Sequence, residues 1–87
     1  MPNEQSIICP VCGFIGLDEP PYDETGCPSY VICPCCGTEF GYDDTTAAHR
    51  ELRIRWISGG MLWWSKREPP PSGWNPKKQL DGAHMTD

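Results

Sequence analysis

Four of the six cysteines in this chain fall into a repeated pattern that binds metal in proteins generally. Cys9-Pro10-Val11-Cys12-Gly13 and Cys33-Pro34-Cys35-Cys36-Gly37 match each other as C-P-x-C-G, with 20 residues between Cys12 and Cys33. The two-residue gap lets two thiolates on one tight turn reach the same ion. Pro fixes φ just after the first ligand. Gly after the second permits a left-handed turn, so that backbone N–H groups can face the sulfurs. Cys9, Cys12, Cys33 and Cys36 are therefore expected to hold one Zn²⁺ in a closed tetrahedral shell, with no open position for a substrate.

Iron is the rival metal, because paired C-x-x-C-G turns with nearby aromatics also describe rubredoxin-like electron carriers. The short link between the turns, and the long segment after them, favour zinc. Two cysteines remain. Matching the turns leaves Cys35 at the variable position, where it is expected to point outward, and Cys27 as a small semi-buried side chain in a loop. The sharper alternatives are a Cys27–Cys35 disulfide or a redox-sensitive spare ligand. A thioredoxin-like reading of Cys33–Cys36 would need that motif to open a helix in a βαβ unit, and nothing supplies one. His49 and His84 are the only histidines, and no phosphate loop, nucleophile elbow or H-E-x-x-H motif occurs. The chain reads as a non-enzyme.

The elements that must carry these turns are short. Six Ile, four Leu, two Val and two Phe are few for 87 residues, and nine Gly with ten Pro exclude a helical bundle. Something besides an apolar core must staple the chain, and a metal does so. The expected fold is a small metal-stapled α+β unit, a zinc ribbon with its two turns on short β-hairpins in residues 1–44. Ser6–Ile8 and Ser29–Ile32 are the strands entering the turns; Phe14-Ile15 and Phe40-Gly41-Tyr42 leave them. Residues 45–60 are expected to form one amphipathic docking helix, with Ala48, Leu52 and Trp56 in one row, capping side chains from Asp43 to Thr46, and a stop at Gly59-Gly60. Residues 61–80 form a Trp/Pro-rich extension packed on or near the ribbon, with Pro69–Pro71 in polyproline II. Residues 81–87 carry no pattern and are expected to be disordered.

Charge is divided unevenly. Residues 1–44 hold eight acids and no Lys or Arg, whereas all seven bases lie beyond them. Such an acidic half repels phosphate backbones and attracts basic proteins, so a nucleic-acid ligand is disfavoured. Asp18, Glu19, Asp23, Glu24, Asp43 and Asp44 are the candidate partner-steering face. Trp63, Trp64 and Trp74 are candidate contact anchors, since Trp dominates protein–protein hot spots; the competing reading has them packing on one another and on Trp56. No apolar run reaches the roughly 18 residues of a membrane span, and the N-terminus lacks signal-peptide regions. The expectation is a cytoplasmic protein with no membrane partner.

The strings C9-P-V-C-G13, Y30-V-I-C-P-C-C-G37, Phe40 and Asp43-Asp44 resemble the cysteine-rich CPCC family of small bacterial proteins. The resemblance covers about the first half of the chain. It implies a zinc-ribbon-like fold and, because such genes often lie near secreted-toxin loci, an immunity role against a toxin. The combined expectation is a zinc-ribbon protein-binding module that neutralises a basic toxin. A rubredoxin-like electron carrier is the alternative, and a nucleic-acid-associated ribbon comes after that.

Overall fold

The computed structural model describes residues 7–83, a body of about 33 × 30 × 27 Å. Its core is small and unusual in content. Cys9, Val11, Cys12, Phe14, Leu17, Cys33, Cys35 and Phe40 are buried together, and half of these are cysteines. Thiols supply less apolar area than aliphatic side chains, so the core alone is thin, as the composition predicts.

The two C-P-x-C-G turns adopt one backbone design. In the first, Cys9 N–H donates to Phe14 O at 2.8 Å and Gly13 N–H to Cys9 O at 2.9 Å. In the second, Cys33 N–H donates to Thr38 O at 3.0 Å and Gly37 N–H to Cys33 O at 2.8 Å. Gly13 and Gly37 sit at φ 85° and 80°, the left-handed conformation that a Cβ opposes. Local sequence is sufficient to build both turns.

The hairpin strands expected around them are not formed among the described residues. Pairing stops at two isolated antiparallel bridges, Tyr22 with Pro28 and Ile32 with Glu39. Around the second turn, Cys33 N–H to Thr38 O and Phe40 N–H to Val31 O make the Ile32–Glu39 bridge, and there the ladder ends. Tyr30 explains the stop: it holds φ 60°, which breaks the extended run entering Val31. Its ring instead packs where a Cβ on Gly41 would fall, 2.8 Å from Tyr30 Cε1.

Two short helices follow. α1 spans His49–Ser58, close to the expected segment. Its N-cap, however, is Ala48 with no side-chain cap bond. The expected caps are used one turn earlier: Asp43 Oδ2 accepts from Glu39 N–H and Asp44 Oδ1 from Gly41 N–H, both at 2.8 Å. The stop occurs as anticipated. Gly60 N–H reaches Ile57 O and Met61 N–H reaches Trp56 O, a Schellman closure with Gly60 at φ 103°. No residue of α1 is fully buried; Leu52 and Trp56 pack half-buried against the core.

α2 spans Pro76–Gly82, inside what the sequence reading treats as extended tail and frayed end. Asn75 caps it, accepting from Lys78 N–H at 3.1 Å, and Pro76 occupies the first helical turn. Leu80 is its buried anchor. The expected disorder of residues 81–87 is thus replaced by helix at Asp81 and Gly82; residues 84–87 lie outside the described region. Ser6, the first residue of an expected strand, also lies outside it.

Between the helices the chain wraps back onto the turns. Trp63 meets Phe14 edge-on at 5.4 Å and Trp74 at 5.3 Å. A turn at Pro71–Trp74, closed by Trp74 N–H to Pro71 O with Gly73 at φ 73°, returns the chain to the core after the prolines.

Candidate metal centre

The Sγ atoms of Cys9, Cys12, Cys33 and Cys36 all lie within 4.8 Å of one another. Cys9 and Cys36 approach to 3.7 Å, as do Cys12 and Cys33. Four sulfurs placed tetrahedrally about 2.3 Å from one ion would be about 3.8 Å apart, so these spacings suit a single tetrahedral M–S₄ site. All six cysteines are free thiols, which sets aside the Cys27–Cys35 disulfide. The chain therefore positions four cysteines to bind a metal ion.

The electrostatics of the cluster also call for a cation. The Cys12 thiol is pushed up, first by its hydrogen bond with Cys33, then by contacts with Cys35, Cys36 and Cys9 and by burial. Cys36 is drawn down by hydrogen bonds from Cys12, Cys33 and Cys9. A divalent cation stabilises thiolates packed this closely and lets all four bind it.

In the first turn Val11 N–H faces Cys9 Sγ at 3.4 Å, and the second half of the chain covers carbonyls of both turns. Arg53 on α1 donates from Nε to Val11 O at 2.8 Å and from Nη2 to Pro10 O at 2.9 Å. Gln79 on α2 donates from Nε2 to Cys12 O at 3.0 Å. The second turn is covered by backbone: Trp64 N–H to Cys35 O at 2.9 Å and Ser65 N–H to Pro34 O at 2.8 Å. Trp64 also lies flat on Gly37, where a Cβ would come within 2.5 Å of its Cδ1. No spacing rule marks Arg53 or Gln79 in the sequence. Their role depends on helices docking across more than 40 residues of chain.

Cys35 corrects an expectation. It is fully buried, not outward, as is its counterpart Val11 in the first turn. Gln79 Nε2 donates to its sulfur at 3.3 Å, and Gln79 Oε1 accepts from Trp74 Nε1 at 2.9 Å. The turn tips would face solvent in an isolated ribbon; here α2 and the Trp segment cover them. Cys27, expected to be semi-buried, is exposed.

The candidate partner residues divide. Asp18, Glu19 and Glu24 are exposed. Asp23 is exposed too, but its Oδ1 is engaged by Thr25 N–H and Cys27 N–H at 2.9 Å and by the Thr25 hydroxyl at 2.7 Å. Asp43 caps the turn at Glu39. Asp44 faces inward, its side chain only 1 % exposed, and accepts from His49 Nε2 at 2.7 Å and from the Tyr22 hydroxyl. Burial alone would raise the Asp44 carboxyl, but Tyr22, His49 and the Gly41 amide together hold it below its ordinary value. Trp63 and Trp74 are half-buried in packing, whereas Trp64 remains 55 % exposed on one face. Asp44 thus leaves the candidate surface, and Trp64 is its most accessible aromatic.

Comparison with known proteins identifies two relatives in Bacillus subtilis (strain 168). One, the uncharacterized protein YoaQ, is 32 % identical over 75 residues, covering 68 % of this chain and 64 % of YoaQ. The other, the uncharacterized protein YozI, is 31 % identical over 70 residues, covering 61 % of this chain and 58 % of YozI. The chain spans less than two thirds of the length of either. No family model matches it, and no solved structure does. No described helix is long and apolar enough to cross a membrane.

Proposed function

We propose that Cys9, Cys12, Cys33 and Cys36 hold one Zn²⁺ and that the chain is a non-enzymatic, zinc-ribbon-like protein-binding module of the cytoplasm. Its partner class is a basic protein, and an immunity protein that occludes a basic toxin fits that description. The carrying observation is the set of four sulfurs within 4.8 Å of one another, at spacings that suit tetrahedral ligation. Four thiolates leave no coordination position for substrate, so the ion acts as a staple. The exposed carboxylates of Asp18, Glu19 and Glu24 lie on the acidic half, and such charge speeds encounter with a cationic partner. Exposed Trp64 is the candidate anchor.

A second reading, rubredoxin-like electron transfer, has one observation in its favour: tetrahedral sulfur ligation suits iron as well as zinc. Nucleic-acid binding is weakened by the use of Arg53 on the first turn and by the Arg55–Glu51 pair at 2.7 Å.

Affinity capture of the tagged chain from its own cells, with metal content measured on the same sample, tests both readings. The expected result is a colourless protein with one zinc and a stoichiometric basic partner. A red iron protein that bleaches on reduction transfers the lead to electron transfer. Zinc with no partner retains the staple and overturns the toxin-binding role.

A further inference from the structure

The four candidate ligands are not equally sheltered. Cys9, Cys12 and Cys33 have no exposed surface, whereas Cys36 is partly exposed. Cys36 also forms part of the wall of a cleft of about 650 Å³ between the second turn, residues 42–46 and the face of α1 that carries Leu52 and Trp56. That volume lies within the range of small-molecule sites. Thr38, Asp43, Thr46 and Arg55 contribute polar groups to the lining, and Leu52 and Trp56 apolar ones. The Thr38 oxygen is 3.3 Å from Cys36 Sγ and can steady the sulfur.

We propose that Cys36 is the reactive thiolate of the metal centre and that the cleft admits small uncharged electrophiles to it. This rests on the four-cysteine metal reading. A metal-bound thiolate retains a nucleophilic lone pair, and an M–S₄ centre with a divalent ion carries about −2 charge overall, which favours attack on a neutral carbon electrophile. In the step, the Cys36 Sγ lone pair forms an S–C bond to the carbon of R–X. The C–X bond breaks and X⁻ leaves with both electrons. The product is an uncharged thioether, a weaker ligand, so alkylation at this one position loosens the ion. The site thereby couples exposure to an alkylating compound to metal release, a modification function for which the three sheltered sulfurs have no access.

The test uses the full-length, metal-loaded Cys27→Ser chain, which lacks the exposed competing thiol, with iodoacetamide as the probe. Labelled positions are read by peptide mass mapping and released metal by a chromophoric chelator. Cys36 is expected to label roughly tenfold or more faster than Cys9, Cys12, Cys33 or Cys35, since thiol modification follows thiolate character and access. Metal release should track its labelling. The additional substitution Thr46→Trp, at an exposed position on the cleft wall, should slow labelling at Cys36 several-fold. A metal-loaded chain that labels first at Cys35, or at all five thiols together, overturns the port while leaving the metal site standing. An unchanged Cys36 rate in the Thr46→Trp chain also overturns it. A chain that takes up no metal overturns both readings.

Discussion

The two C-P-x-C-G turns share their hydrogen bonds and their glycine conformation, yet their surroundings differ throughout. The first turn is held by side chains arriving from two helices, Arg53 and Gln79, and both of its cysteines are sealed. The second is held by two backbone amides of one passing segment, by Trp64 lying on Gly37 and by Gln79 on Cys35 Sγ, and its second candidate ligand, Cys36, is partly exposed. A motif of five residues therefore specifies where its ligands point, but not how well they are protected. Protection is a property of whatever the remaining chain places over the turn.

The largest expected effect concerns the staple common to both turns. Structural zinc sites contribute on the order of 10 kcal/mol or more to folding, so removal of the ion by a strong chelator should abolish the folded state. Loss of near-UV circular dichroism, restored by stoichiometric Zn²⁺, is the measurement. Within that frame the turns should differ: Cys12→Ser, at a sealed position, should lower metal affinity further than Cys36→Ser, where water from the cleft can complete the shell. Equal losses would erase the distinction between the turns.

Next in size is the contrast between the two glycines. Gly37→Ala meets both a left-handed φ and the Trp64 ring, and should cost about 2–4 kcal/mol from combined strain and overpacking. Adding Trp64→Ala should recover part of that in a double-mutant cycle, because the clash is lost while the backbone strain persists. Denaturant midpoints of the four metal-loaded chains decide this.

Gln79 sharpens the comparison from the side of the first turn. Gln79→Leu removes donors to Cys12 O and Cys35 Sγ and leaves Trp74 Nε1 without its acceptor, which should cost about 1–3 kcal/mol. Arg53→Lys should cost less, about 1 kcal/mol, because an ammonium cannot match the guanidinium fork across two carbonyls. Thermal unfolding of both variants in zinc-loaded form orders them.

The smallest effect tests the link between loop and helix. Burial, together with the Asp44 hydrogen bond, pushes Tyr22 up from 10.0 to about 12. Because the folded value is the higher one, its contribution is complete below pH 10 and is lost as pH rises towards about 12. Asp44 acts in the opposite direction. Its folded value is depressed, so its contribution is present above its ordinary value near 3.8 and is lost as pH falls below that. Comparing Tyr22→Phe with the parent chain in alkaline and acid unfolding should remove the first slope and also make the acid limb shallower, because the Tyr22 hydroxyl is one of the donors that hold Asp44 down.

How much was legible in the sequence follows from the range over which each feature is encoded. The ligand set Cys9, Cys12, Cys33 and Cys36 was readable because each pair lies within one turn. The span of α1 and its stop at Gly60 were readable for the same reason. α2 was signalled by Asn75-Pro76, a cap followed by a first-turn proline, but the prolines and tryptophans before it suggested a continuous tail. The strands failed because apolar, β-branched composition does not reveal that Tyr30 takes a left-handed conformation. Asp44 looked like surface charge because nothing near it in sequence announces the hydroxyl of Tyr22.

The sequence by itself determined the turns, the thiol set and the need for a staple, since spacing, Pro and Gly act over a few residues and composition bounds the core. Only the tertiary structure decided that Cys35 is buried, that Arg53 and Gln79 cover the first turn, that Trp63 and Trp74 pack while Trp64 remains exposed, and that Cys36 is the partly exposed ligand. Those outcomes depend on which segments dock across the turns, and docking joins residues from 27 to 67 positions apart through contacts that no local pattern encodes.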